Sequence, residues 1–259
     1  MDLVGVERHA RGVVRLVLAH GEARNAMGEA LRGALLEVLS PLLQEASCRV
    51  LIIASGLKDF SVGGDLSRMD ALSDPKAGRE RMRSAHLLAR LLLAADKPMI
   101  AEVGGYAMGA GAGLALMCDT VVMGENAALG FPFPKVGLAP DFAIAYTLSR
   151  RIGVARARQA LLYARTYKGA EALALGLADE VVADDRIAGK AMERAMELAA
   201  LPSHALALTK RMMEQSADPQ SVLEFEAMAQ ALCFATDDFR EGVAAFRQKR
   251  RPDFDGAVR

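Results

Sequence analysis

The chain has 259 residues, 52% of them hydrophobic and 25% charged, with 32 basic residues set against 32 acidic ones. That apolar fraction builds a sizeable core without covalent staples, and the even charge balance argues against nucleic acid or an anionic membrane as the main partner. Cys48, Cys118 and Cys233 are odd in number and far apart, a pattern of reduced thiols in a cytoplasmic protein and not of a disulfide framework or a metal site.

The first twenty residues show no secretory signal, and no apolar run reaches the roughly 18 residues of a membrane span. GVVRLVLAH (12–20) alternates and is β-branched, which predicts a strand. Residues 26–46 place apolar side chains at helical spacing, with Pro41 expected to kink or break the helix. RVLIIAS (49–55) is an apolar run of the kind buried on both faces of a parallel sheet. A glycine turn, FSVGGDL (60–66), follows, then a polar stretch and a helix over about 78–95.

KPMIAEVGGYAM (97–108) predicts another strand, leading into GAGAG (109–113) and a short helix at 114–118. Strands are expected at 120–125, 128–131 and 177–182, with a helix from about Asp141 to Gly153. From Asp184 onward only helical patterns remain, broken at Pro202 and Pro219. This order predicts an α/β core over 1–200 and a helical region over 201–259.

Strand, glycines, helix is also how a dinucleotide site opens. That site needs GxGxxG and a long helix, whereas residues 109–113 read GxGxG before a helix of about eight residues. The other reading is a site for a carbonyl oxygen that turns negative during reaction. A helix N-terminus presents free N–H groups, and a second exposed N–H from the Gly63–Gly64 bend would complete a two-donor oxyanion hole.

FSVGGDL, KPMIAEVGGYAMGAGAGLALMCD, LGFPFPKVGLAPD and ALALGLADEVV, in this order, resemble the enoyl-CoA hydratase/isomerase (crotonase) superfamily. The likeness runs from Arg24–Ala26 to AFRQKRRPDF near the C-terminus. It implies a crotonase (ClpP-like) spiral of ββα turns with a C-terminal helical trimerisation region, a homotrimer or hexamer, and an acyl-CoA thioester as substrate. Coenzyme A then arrives on the substrate, and no other cofactor or metal is expected. By motif position the N–H groups of Gly64 and Ala110 would hold the thioester oxygen.

Similar hydratases carry two glutamates, and here those positions are Gly113 and Phe133. Hydration manages protons at two carbons, work suited to two carboxylates. One acid stands where related isomerases keep theirs: Asp141, after Pro140. The resemblance makes it the single acid/base of a double-bond shift; the alternative is a helix N-cap with no chemistry. Phe133, Phe142 and Ile144 would wall it and raise its pKa. Arg24, Ala26, Ser61, Gly63, Leu66, Gly109, Phe133, Leu138, Phe142, Phe246 and Lys249 are the substrate-binding candidates, with Arg24, Phe246 and Lys249 toward CoA. Residues 67–85 are expected to wall the acyl pocket. Lys249 reads equally as part of a solvated basic tail. Besides an isomerase, the sequence allows a hydratase-like lyase with another acid, or a non-catalytic acyl-CoA-binding relative.

Overall fold

A computed structural model describes residues 2–65, 75–214 and 218–254. The chain opens with β1 (Val4–Arg8) and β2 (Val13–Leu18), then α1 (Glu29–Gln44), β3 (Val50–Ser55) and α2 (Pro75–Leu93). Next come β4 (Met99–Val103), β5 (Tyr106–Met108), α3 (Ala110–Leu116), β6 (Thr120–Gly124) and β7 (Ala128–Gly130). After them follow α4 (Ile144–Ile152), α5 (Val154–Leu162), β8 (Thr166–Lys168), α6 (Gly169–Leu175) and β9 (Glu180–Val182). Four helices close the chain: α7 (Ile187–Ala199), α8 (Ser203–Glu214), α9 (Pro219–Phe234) and α10 (Asp237–Gln248).

Six strands form one sheet in the order β1-β2-β3-β4-β6-β9, and β5-β7-β8 form a second, smaller one. Only β1 runs antiparallel within the large sheet. β3 and β4 are buried on both faces, as their unbroken apolar runs require. On one face Leu16, Leu51, Ile53, Leu31, Leu35 and Leu88 join the main core. On the other, Val50, Ile52, Ile100 and Val122 meet Ile187, Ala191, Ala195 and Ala199 of α7. Among the described residues, α8–α10 add nothing to either cluster.

Several expectations shift. Pro41 does not break α1, which runs on to Gln44. It stands in the last turn, where one backbone bond is lost while buried Leu39 and Leu42 hold the helix to the core. The strand expected at 97–108 divides at Gly104–Gly105, and its halves enter different sheets. The short helix begins at Ala110, not Leu114, and takes Gly111 and Gly113 into its length. Close packing overrides their poor propensity: a Cβ on Gly111 would lie 2.6 Å from the Ser61 Cβ. The helix expected from Asp141 starts at Ile144. β1, α5, β8 and α6 had no sequence expectation; β1 is a charged edge strand with only Val4 buried, and β8 has three residues.

Candidate active site

Two glycine turns meet because the chain segments leading into them run side by side. Ser61 and Ala107 form a parallel bridge. The Ser61 N–H donates to the Tyr106 carbonyl at 2.9 Å, and the Met108 N–H donates to the Ser61 carbonyl at 2.9 Å. One step further along each segment lie Gly63 and Gly109, with φ of 100° and 50°. A Cβ on Gly63 would sit 2.7 Å from the Met108 carbonyl oxygen, so only glycine permits this approach. Beyond them, the N–H groups of Gly64 and Ala110 have no acceptor among the described residues.

The segment before α1 fastens this arrangement. Arg24 and Asn25 both take left-handed backbone conformations. Arg24 pairs with buried Asp59 at 2.6 Å, and the second Asp59 oxygen accepts the Tyr106 N–H at 3.0 Å. Fully buried Asn25 accepts from the His20 N–H and donates to the Ser55 hydroxyl and the Phe60 carbonyl. The Ser61 hydroxyl donates to the Asn25 carbonyl at 2.6 Å, and the Met27 N–H donates to the Gly63 carbonyl at 2.7 Å.

Gly113 has no room for a side chain. A Cβ there would lie 2.9 Å from the Phe142 carbonyl oxygen and 3.1 Å from Ile144 Cγ1. Phe133 is buried, with its ring edge 3.7 Å from where a Cβ on Gly109 would be. Phe142, buried against α3, and Ala143 are consecutive non-glycine residues at positive φ, 51° and 60°. Such conformations cost on the order of 1 kcal/mol or more each. They place Asp141 one turn short of α4, whose N-cap is Ala143 with no side-chain bond.

Asp141 is therefore not a helix cap. Its Oδ1 is buried and has no hydrogen-bond partner. Burial raises its pKa above the ordinary carboxylate value, against opposing pulls from Arg81, Arg32, its own N–H and His86. Arg32, Arg81 and His86 are the neighbours that sequence reasoning missed. The signal was present for Arg32 alone: at helical spacing it falls on the same face as Leu35 and Leu39, beside the buried stripe of α1, and it is itself 4% exposed.

A family model described as Enoyl-CoA hydratase/isomerase matches residues 8–257. The chain belongs to the enoyl-CoA hydratase/isomerase family. It is 37% identical over 253 residues to the 2,3-dehydroadipyl-CoA hydratase of Escherichia coli K12, covering 97% of this chain and 98% of that one. It is 33% identical over 252 residues to the 1,2-epoxyphenylacetyl-CoA isomerase of the same organism, covering 95% and 96%. The crystal structure of an enoyl-CoA hydratase from Bacillus anthracis superposes with a TM-score of 0.92 at 28% identity, covering 98% and 99%. The fold is thus the crotonase fold, and the chain is an acyl-CoA-processing enzyme of this family.

The remaining candidates from the family resemblance are scattered. Ala26 is buried beside the fastening segment. Leu138 is 41% exposed and lines a separate apolar groove with Pro134, Pro140 and Leu162. Phe246 is 86% exposed on α10, and Lys249 follows that helix in a left-handed cap. Leu66 lies outside the described residues, as do 67–74 of the expected acyl wall. Tyr146 reaches the surface, where its hydroxyl donates to Glu214 at 2.6 Å. Asp119 accepts the Met99 N–H and pairs with Lys210, both at 2.7 Å, which ties α8 to the edge of the core. No described helix is long and apolar enough to cross a membrane.

Proposed function

We propose that this chain is an enoyl-CoA isomerase that shifts a double bond through a thioester enolate. Asp141 serves as its single acid/base, and the N–H groups of Gly64 and Ala110 hold the thioester oxygen. One observation carries the reading: Asp141 keeps a buried, unpartnered carboxylate oxygen, caps no helix, and directly precedes Phe142, which packs on Gly113 of α3. The position of a hydratase glutamate, Gly113, meanwhile has no space for one.

In this reading Asp141 removes a proton α to the carbonyl. The negative charge spreads onto the thioester oxygen, where two main-chain donors offset it without reorganising. The same carboxyl, now protonated, returns the proton at the γ carbon. The chemistry needs one carboxyl with a raised pKa, so that it accepts and releases a proton readily near neutral pH. CoA would lie along Arg24, with Phe246 and Lys249 meeting the CoA of a neighbouring subunit in a trimer or hexamer. The exposure of Phe246 supports that placement.

The names of relatives favour a second reading, hydration, since 2,3-dehydroadipyl-CoA hydratase is among them. The 1,2-epoxyphenylacetyl-CoA isomerase is covered almost as fully, so an isomerase also stands among the relatives described above. Incubating the protein with a 3-enoyl-CoA in D₂O, beside Asp141→Asn, separates them by mass spectrometry. Conversion to the 2-enoyl isomer, lost in the variant, is expected, with deuterium at the γ carbon only to the extent that the protonated carboxyl exchanges with D₂O before it returns its proton. Water addition to a 2-enoyl-CoA without isomerisation would mean the hydratase reading. Inertness with retained CoA binding would mean a non-catalytic relative.

A further inference from the structure

Arg32 is a guanidinium on the buried face of α1. It projects from the buried stripe of α1 between Leu31 and Leu35 and is 4% exposed. Arginine does not shed its proton in proteins, so burying it costs several kcal/mol unless an anion answers it. Its one hydrogen bond among the described residues goes from Nη1 to the neutral Met27 carbonyl at 2.6 Å, and its Nε has no partner. Burial lowers its pKa, a sign of the same uncompensated charge.

The location of this charge is informative. Met27, which accepts from Arg32, also donates its N–H to Gly63 at 2.7 Å. The guanidinium thus stands one residue from the turn that presents the Gly64 N–H. Asp141 and Arg81 are close enough to act on it electrostatically, and each also acts on the other. Asp141 Oδ1 is likewise buried and unpartnered, and no ion pair joins it to Arg32. Arg81 makes no hydrogen bond or ion pair among the described residues. Glu29, the other acid near Arg32, is exposed in the first turn of α1 and screened by water. Among the described residues, Asp141 is thus the one shielded carboxylate that acts on Arg32, and it makes no ion pair with it.

Resting on the isomerase reading for the placement of the thioester, we infer that the acyl group this enzyme takes carries a carboxylate, which Arg32 binds. A carboxylate on the substrate supplies the acceptor that Arg32 Nε lacks; a guanidinium is the side chain suited to grip it in two-point fashion. A hydrocarbon acyl chain would leave the buried charge unanswered and dry it further. Discrimination of this kind is strong, because a buried polar group left unpaired by the wrong ligand is what rejects it.

Calorimetric binding of unreactive saturated thioesters tests this without requiring turnover. Succinyl-, glutaryl- and adipyl-CoA are compared with butanoyl-, pentanoyl- and hexanoyl-CoA on the wild type, Arg32→Leu and Arg32→Lys. The expected result is that one carboxylated member binds the wild type at least tenfold tighter than its hydrocarbon counterpart. Arg32→Leu abolishes or inverts that preference, and Arg32→Lys keeps part of it. Equal binding across all three pairs, or a preference that survives Arg32→Leu, overturns the inference. So does an Arg32→Leu variant that loses turnover equally on carboxylated and hydrocarbon 3-enoyl-CoAs, since Arg32 would then be positioning the Gly63 turn. A binding preference without any isomerisation would sink the isomerase chemistry and leave the carboxylate site standing. Failure of every thioester to bind overturns both.

Discussion

At the scale of single residues, the shielding of Asp141 bears directly on its proposed acid–base role. Asp141→Asn should lower turnover of a 3-enoyl-CoA by about 10²–10⁴-fold, the usual contribution of a general acid–base group, while saturated acyl-CoA still binds. The pH profile of kcat/KM checks the cause. The base works ionised, and burial raises its pKa, so the acid limb should lie above the ordinary aspartate value of about 3.9. Stability carries the opposite sign. Between the unfolded and the raised folded pKa the native state holds more protons, so the wild type should lose stability relative to Asp141→Asn as pH rises through that window. Urea unfolding at several pH values measures it; a gap that instead grows toward acid would show that the carboxylate is stabilised by its neighbours. Gly113→Glu gives a complementary test. Its Cβ meets a backbone carbonyl oxygen at 2.9 Å, so it should destabilise by about 1–3 kcal/mol and confer no hydration of crotonyl-CoA. Gain of hydratase activity in a stable variant would refute the packing argument.

At the scale of elements, the decisive contact is α3 against the segment leading out of β3. Gly111 lies on Ser61, and an added Cβ would stand 2.6 Å from its Cβ and 2.7 Å from its carbonyl oxygen. Gly111→Ala should push α3 away from the Gly63–Gly64 turn and separate the two N–H groups. Loss of one donor of this kind costs about 10²–10³ in kcat, so a fall of at least tenfold in kcat/KM is expected, with CoA affinity less affected. Gly33 in α1 is the control, since nothing lies within 4 Å of a Cβ there. Gly33→Ala should raise stability by roughly 0.5–1 kcal/mol through helix propensity and leave turnover unchanged. If both substitutions reduced activity alike, close packing of α3 would not be what holds the turns in place.

At the scale of the whole molecule, the C-terminal helices leave much apolar surface uncovered. Leu223, Met228, Leu232, Phe234, Phe239 and Phe246 are each more than 40% exposed. The proposed trimer or hexamer would cover such side chains if it forms through these helices. Light scattering after gel filtration should give a mass of three or six chains, and Leu232→Glu with Phe234→Glu should yield smaller species. A wild type that stays monomeric at every concentration would remove Phe246 and Lys249 from the CoA site, because both are proposed to serve a neighbour.

Much of this protein was legible in residue order. Apolar runs such as VLIIAS and the glycine clusters at 63–64 and 109–113 state local requirements, for burial on two faces and for a backbone without side chains, that neighbouring residues alone express. They were enough for the fold class, for the family, and for the absence of the two glutamates. Tertiary structure decided the rest. Whether Asp141 caps a helix depends on the left-handed turn at Phe142–Ala143, which packing against Gly113 of a distant helix imposes. Whether an arginine in α1 matters depends on which charges from α2 and the α4 turn come to face it. Both are questions of what lies across the core. Hydrophobic periodicity tells which side of an element turns inward, but it does not identify the atoms the element will meet there.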